Sequence, residues 1–225
     1  MFEVVHGGAR RQRQGSYIGV TVACPIAKSS RTGERAELYP HKGEKMAWYV
    51  LFVKTGYEQK IANEISRVWR IGDSKPFVPM YEAHFKRAGR VYPEKRRMCP
   101  GYVFIDSELS GLDFYKAARP HIMRSEKSLK LLRYGKNDSF ENKSYEMKRE
   151  EYVTFLQLYN EEYCIEMSKG FIEGDLVYIT DGPLKGFESR IIKVRASKME
   201  AVVAIEMMGR LTDVKVGLEI IKKLT

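Results

Sequence analysis

Residues 97–105 read RMCPGYVFI, a basic run that ends in Pro100-Gly101 and turns at once into Tyr102, Val103, Phe104 and Ile105. Pro-Gly marks a turn, and four aromatic and β-branched residues after a turn have the length and character of a buried strand. The charge therefore sits on a loop that feeds the core. Upstream, RAGRVYPEKRRMCPG (87–101) reads as a hairpin with a basic loop. PFVPM (76–80) begins another extended piece, and WYVLFV (48–53) is a second buried strand. Between them, GYEQKIANEISRVWR (56–70) spaces Ile61, Ile65 and Val68 at i, i+4 and i+7, the stripe of an amphipathic helix. GLDFYKAARP (111–120) predicts a short helix stopped by Pro120, and Tyr152, Phe155, Leu156 and Tyr159 mark a further helix. Strands interleaved with two or three helices predict an α/β sandwich of ferredoxin-like type.

After NEEYCIEMSKG (160–170) the pattern changes to short strands alone: DLVYI, SRIIKVR, EAVVAIEMM, LTDVKV and LEIIKK, separated by turns such as DGPLKG (181–186). Five short strands predict a small SH3-like β-barrel. The fold class is therefore α+β, with one sandwich domain over residues 46–160, a linker over 161–170 and a barrel over 171–225. Residues 1–45 carry no helical or strand period, and Met46 directly precedes the first convincing strand. They are expected to form a disordered leader or an upstream segment, dispensable for folding.

The 225 residues carry a net charge of +10 with 44% hydrophobic content, enough for real cores and suited to a polyanion or an acidic protein face. Cys24, Cys99 and Cys164 are odd in number, far apart and lack a C-x-x-C pair, so no disulfide framework or zinc knuckle is indicated. A reducing, cytoplasmic compartment fits, and no apolar run approaches the roughly 18 residues of a membrane span. His6, His41, His84 and His121 have no metal-ligand spacing. With no P-loop, dinucleotide fingerprint or nucleophile elbow, neither enzyme, metal nor cofactor is expected.

In the barrel, Lys185, Arg190, Lys193, Arg195 and Lys198 fall within fourteen positions. Asp181-Gly182-Pro183 and Lys185-Gly186 make a tight turn that raises Lys185 at its tip, a loop able to present cations to phosphates. In an extended strand without a bulge, Ile191, Lys193 and Arg195 share one face, while Ile192 and Val194 share the other and face the core. Arg190 has the parity of the core face and belongs at the start of the strand.

Taken in order, WYVLFVKTGYEQK, FVPMYEAHF and RRMCPGYVFI resemble the N-terminal domain of NusG-type transcription elongation factors. GDLVYITDGPLKGFESRIIKV resembles the KOW motif that follows it, and MMGRLTDVKV that domain's later hairpin. The resemblance covers residues 48–225. One departure is Ser189 followed by Arg190, where the family usually has a glycine after the loop. The resemblance implies a monomeric transcription elongation or antitermination factor whose first domain binds RNA polymerase and whose KOW domain meets a second partner. In housekeeping members that partner is the termination factor Rho or a small-subunit ribosomal protein. The chain is most similar to the LoaP branch of specialised antiterminators, for which the partner is nascent RNA, such as a hairpin in the transcript leader. On that reading Lys185, Arg190, Lys193, Arg195 and Lys198 contact RNA. Aromatic residues among Tyr57, Phe77, Tyr81, Phe85 and Tyr102 supply the polymerase face, with Phe77 and Tyr102 more apt to be core than Tyr57 and Tyr81. Gly111–Phe114 stands where the contact with the opposite jaw of the polymerase is expected. A general KOW-type RNA-binding protein would explain the charge but not WYVLFVKTGYEQK.

Overall fold

The computed structural model describes residues 47–125, 128–134 and 144–224; the expected leader lies outside them. The two apolar runs pair directly: β1 (Ala47–Phe52) is antiparallel to β5 (Tyr102–Ser107), with Tyr49 opposite Ile105 and Val50 opposite Phe104. β2 (Lys75–Phe77) flanks β5 and β6 (Lys130–Leu131) flanks β1, giving a four-stranded antiparallel sheet. Both of its faces are covered, which is why the central strands read as unbroken apolar runs. Tyr49, Leu51, Val103 and Ile105 point to one face, against α1 (Glu58–Glu64) and α2 (Gly111–Arg124). Trp48, Val50 and Phe104 point to the other, where Phe155 and Leu158 of α3 (Arg149–Leu158) meet them.

The Pro100-Gly101 turn is tied to the start of α1. The buried Glu58 carboxylate accepts the amide of Gly101 at 2.7 Å and that of Gly56 at 2.8 Å, with the Arg97 guanidinium 3.3 Å away. Gly101 sits at φ +87°, a backbone angle that favours glycine.

Helical details differ from the sequence reading in two places. The helix after α1 continues as a wider π turn over Ile65–Trp69, so Trp69 is buried against the ring of His121 while Val68 is exposed. Nor does α2 stop at Pro120, running on to Arg124. Pro120 lies on the exposed side, where a lost amide hydrogen bond is cheapest.

A second sheet starts from β3 (Met80–Arg87), which pairs antiparallel with β4 (Arg90–Arg97) and parallel with β7 (Cys164–Ile165). The segment read as a linker is thus structured: it holds β7, and Tyr163 stacks on Phe77 at 3.7 Å. It also holds the start of β8 (Ser168–Glu173), the first strand of the C-terminal sheet. That sheet continues with β9 (Leu176–Asp181), β10 (Ile191–Arg195), β11 (Glu200–Met207) and β12 (Arg210–Leu224), in the order β10-β11-β12-β8-β9. LTDVKV and LEIIKK are one long strand: β12 pairs antiparallel with β11 as far as Gly217, then parallel with β8 from Leu218. A strand shared in this way lets five strands cover a single core. The result is the expected α+β arrangement of a sandwich followed by a small all-β unit.

The apolar cluster on the Trp48 side does not end with the first domain. It runs without a break through Tyr81 and Ala83 of β3 into Ile191, Val203, Ile205, Met207, Val216 and Leu218 of the barrel.

Candidate nucleic-acid interface

The β9–β10 connection is anchored at its base and free at its tip. Gly182, at φ +95°, packs so tightly on β8 that a Cβ there would lie 2.6 Å from the Ser168 Cα. Leu184 is fully buried, and its amide donates to Ser168 Oγ at 3.1 Å. Lys185 follows directly and is exposed. The chain then makes a 3₁₀ turn over Glu188–Arg190, so the Ser189 departure falls in a turn and not in extended backbone. Arg190 is exposed, with its guanidinium 5.6 Å from the Phe187 ring.

In β10 the expected alternation fails. Ile191 pairs with Val203 and Lys193 with Val202, which leaves Ile192 as an extra, bulged residue. Ile191 consequently faces the core at 3% exposure, while Ile192, read as core, is 49% exposed. Lys193 is exposed and Val194 half-buried. Lys198 is exposed on a 3₁₀ turn that ends at Met199, φ +49°. Arg195 is half-buried, and its Nη1 is 2.7 Å from Oε1 of the buried Glu200. The structure therefore brings Lys185, Arg190, Lys193 and Lys198 to solvent along β10 and the turns at its ends, and binds Arg195 internally.

Of the aromatic candidates, Tyr57 and Phe85 are exposed, and Tyr102 is half-buried against the exposed Phe52, its cross-strand neighbour at 5.7 Å. Phe52 was not singled out from the sequence; it ends a buried run, and only the strand register turns it outward. Tyr81 requires a correction. Read as surface, it is 2% exposed, and its hydroxyl donates to Glu200 Oε2 at 3.3 Å. Burial and then the Glu200 charge raise its pKa, with Arg96 opposing. Within Gly111–Phe114, Phe114 is buried in a stack on Tyr49 at 3.8 Å.

Tyr81 is one of several joints between the halves. Glu151, 3% exposed in the first turn of α3, accepts the Gly209 amide at 2.8 Å through Oε1. Its Oε2 accepts the Met208 amide at 3.0 Å and the Tyr134 hydroxyl. Glu82 of β3 accepts the Met167 amide at 2.9 Å. Gly217 lies against β3 so closely that a Cβ would come within 2.3 Å of the Glu82 carbonyl oxygen. Sequence reasoning passed over Glu151, although a signal was there: it stands four residues before Phe155 and seven before Leu158, on the buried stripe of the helix.

Among the described residues no group of His, Cys, Asp and Glu side chains could hold a metal ion. Burial pushes the Cys99 thiol up to about 12, which keeps it protonated and unreactive at neutral pH. No helix among the described residues is long and apolar enough to cross a membrane.

The architecture is an α+β sandwich domain followed by a β-rich C-terminal unit, and sequence comparison is specific about its kin. Residues 46–156 match the family described as transcription termination factor NusG. The chain is 26% identical over 186 residues to the transcription termination/antitermination protein NusG of Borreliella burgdorferi, covering 79% of this chain and 98% of that protein. It is 22% identical to the NusG protein of Buchnera aphidicola over 81% of this chain and 99% of the relative. To that of Pasteurella multocida it is 24% identical, over 80% and 96%. Residues 46–156 thus form a NusG-family domain, and most of the chain is similar to NusG transcription termination/antitermination proteins.

Proposed function

We propose that this protein is an elongation and antitermination factor of the LoaP kind, binding RNA polymerase through residues 46–160 and contacting nascent RNA through the barrel. The observation that carries the RNA part is the row of exposed cations Lys185, Arg190, Lys193 and Lys198 beside the β9–β10 loop, which gathers the positive charge of a unit whose total is nearly balanced. Arg195, committed to Glu200, drops out of the contact set. On the polymerase side Tyr57, Tyr102 and Phe85 remain, joined by Phe52; Tyr81 contributes only from within the core. No covalent chemistry is involved. A factor that binds the closed polymerase clamp more tightly than the open one shifts a two-state equilibrium away from pausing and termination, and a few kcal/mol of differential binding is enough.

The test is binding of the full chain to transcript-leader RNA across salt concentrations. Each phosphate-contacting cation contributes roughly 1 unit to the slope of log affinity against log salt. Lys193→Glu with Lys198→Glu should weaken binding and flatten the slope by about 2 units while polymerase retention is unchanged. Unaltered RNA binding in this variant would sink the RNA reading and make a protein such as Rho or a ribosomal protein the better partner.

A further inference from the structure

One rung of the barrel sheet belongs neither to the core, nor to the joint with the first domain, nor to the cation row. Phe171 of β8 stands opposite Tyr178 of β9, and Lys222 of β12 stands beside Phe171 on its other side. The three share the outer face of the sheet. Their neighbours along β8 and β9 pair with one another on the inner face, Gly170 with Ile179 and Ile172 with Val177. Val177, Ile179 and Ile220 pack into the apolar cluster, and neither ring is part of it.

The two rings stack on each other instead, with centroids 4.9 Å and planes 14° apart. Tyr178 is 37% exposed, Phe171 is half-buried and Lys222 is exposed. Next to them Ile221, the extra residue of a bulge in β12, is 61% exposed. Such a pair contributes only a cross-strand contact to folding and holds apolar ring surface against water. Phe171 covers one face of Tyr178. On the other side β9 ends the sheet order, so no further strand of the sheet lies beside that ring. β9 also packs against the 3₁₀ turn of Glu188–Arg190, and it leads through Asp181 into the loop that raises Lys185.

We infer that Tyr178 and Phe171 form a stacking platform for unpaired bases of single-stranded RNA, with Lys222 holding a phosphate that flanks them. The inference rests on the RNA reading of the barrel and deepens it. The cation row attracts any polynucleotide, paired or not, and the platform selects the unpaired kind. Every base has a π face, so rings accept bases of any identity, but only where those bases are free to leave their own stack. RNA is favoured over an apolar peptide because the rung carries a lysine and its strand is continuous with the turns that carry Lys185 and Arg190. Lys169, the other cation of β8, stands opposite Asp181 and is left out of the set. Glu173, on the same face two residues beyond Phe171, limits the platform on the side away from the cation row.

The experiment uses the full chain and two fluorescein-labelled probes, an oligouridylate about ten nucleotides long and a blunt RNA duplex of mixed sequence, titrated by anisotropy from about 0.1 M salt upwards. Tyr178→Leu keeps apolar bulk and removes the ring. Losing one base–aromatic stack should weaken oligouridylate binding about 5- to 150-fold and leave the salt slope unchanged. Tyr178→Phe should bind as the parent does, and Lys222→Ala should flatten the slope by about 0.7, the value for one phosphate contact on a single strand. Binding of the duplex should be indifferent to Tyr178→Leu. In a second measurement on the parent, which no folding defect can affect, 5-iodouridine in the oligomer is irradiated and the crosslinked peptide should contain Tyr178 or Phe171. Oligouridylate that the parent fails to bind at about 0.1 M salt would overturn the platform. So would equal binding by the parent and Tyr178→Leu, a duplex that loses as much as the single strand, or crosslinks only to peptides without either ring, as expected if the rings serve a protein partner. Lys193→Glu with Lys198→Glu, which leaves the platform intact, separates the two readings: it should weaken binding of both probes, and if it weakened neither, the RNA reading itself would fail.

Discussion

Replacing Glu151 by Gln removes one negative charge and almost no volume from the joint between the domains. In the parent, two carboxylate oxygens receive three donors: the Gly209 amide at 2.8 Å, the Met208 amide at 3.0 Å and the Tyr134 hydroxyl. A glutamine has one oxygen to offer, and its NH₂ would face a donor across the gap. One charge-assisted bond is lost outright and the rest lose their charge. Hydrogen bonds to charged groups contribute about 1.5–3 kcal/mol each, so a net cost of about 2 kcal/mol is expected. At about 1.4 kcal/mol per tenfold, the equilibrium for opening the β11–β12 turn away from α3 rises about 30-fold. Amide hydrogen exchange reads this directly. The Met208 and Gly209 amides of the full chain should exchange about 30-fold faster in Glu151→Gln, while those of β1 and β5, in the other half of the core, should not change. If Met208 and Gly209 exchanged within about threefold of the parent, the carboxylate would not be holding the turn, and the packing of Met207 and Met208 would have to account for the joint.

Gly217→Ala places a methyl 2.3 Å from the Glu82 carbonyl oxygen and 2.8 Å from Met167, so β12 must move off β3; a loss of about 1–3 kcal/mol is expected in thermal denaturation. Tyr81→Ala should cost about 3–5 kcal/mol as a core truncation, and Tyr81→Phe only about 1 kcal/mol, because Arg195 still accompanies Glu200; equal urea midpoints for Tyr81→Ala and the parent would return the residue to the surface. Arg195→Ala leaves the buried Glu200 without its cation and should cost about 1–3 kcal/mol, whereas Lys185→Ala should stay within about 0.5 kcal/mol, a contrast that one set of chemical melts can check. Asp106 has its pKa raised to about 6 by burial, against the pull of Lys75. A raised acid pKa means that the folded form holds the proton more tightly, so this contribution is greatest below about pH 4 and is lost as pH climbs through about 6, by an amount on the order of 1 kcal/mol after solvent screening. Asp106→Asn should flatten stability over that window, and an unchanged pH profile would assign the slope elsewhere.

Where the sequence was read correctly, the side-chain period and the backbone agree. Trp48 to Val53 and Tyr102 to Ile105 look like buried strands because both faces of their sheet are covered, and Phe155 sits on the buried stripe of a regular helix. Where it was misread, the chain inserts one residue. The extra Ile192 in β10 reverses the faces of Ile191 and Ile192, and the π turn over Ile65–Trp69 exchanges Val68 for Trp69. Period arguments carry no signal for such insertions, since the composition on either side is unaltered and only the pairing partner, distant in sequence, fixes the register. Tyr81 was misjudged for a different reason. Its alternation with Ala83 and Phe85 shows that a face of β3 is apolar, but not what covers it, and the cover is the barrel strand β12, more than a hundred residues later.

That cover bears on the choice between partners for the barrel. Met207 and Met208, the apolar residues of the β11–β12 turn, are buried where α3 meets the barrel, and the Met208 and Gly209 amides beside them are held by Glu151. A protein that used this side would first have to separate the domains, losing those charge-assisted bonds, the Glu82–Met167 bond and the continuous apolar cluster. Lys185, Arg190, Lys193 and Lys198 face water with the domains together. A polyanion can reach them at no such cost, and its attraction grows as salt falls, while the apolar joint is nearly indifferent to salt. The two kinds of partner therefore predict opposite behaviour. RNA binding should leave Met208 and Gly209 exchange as slow as in the free protein, and a protein partner seated on the turn should first make those amides exchange in the Glu151→Gln variant's manner and bind that variant more tightly than the parent. Tighter binding of RNA to Glu151→Gln would mean that the RNA site lies under α3, and the exposed cations would no longer be sufficient to account for it.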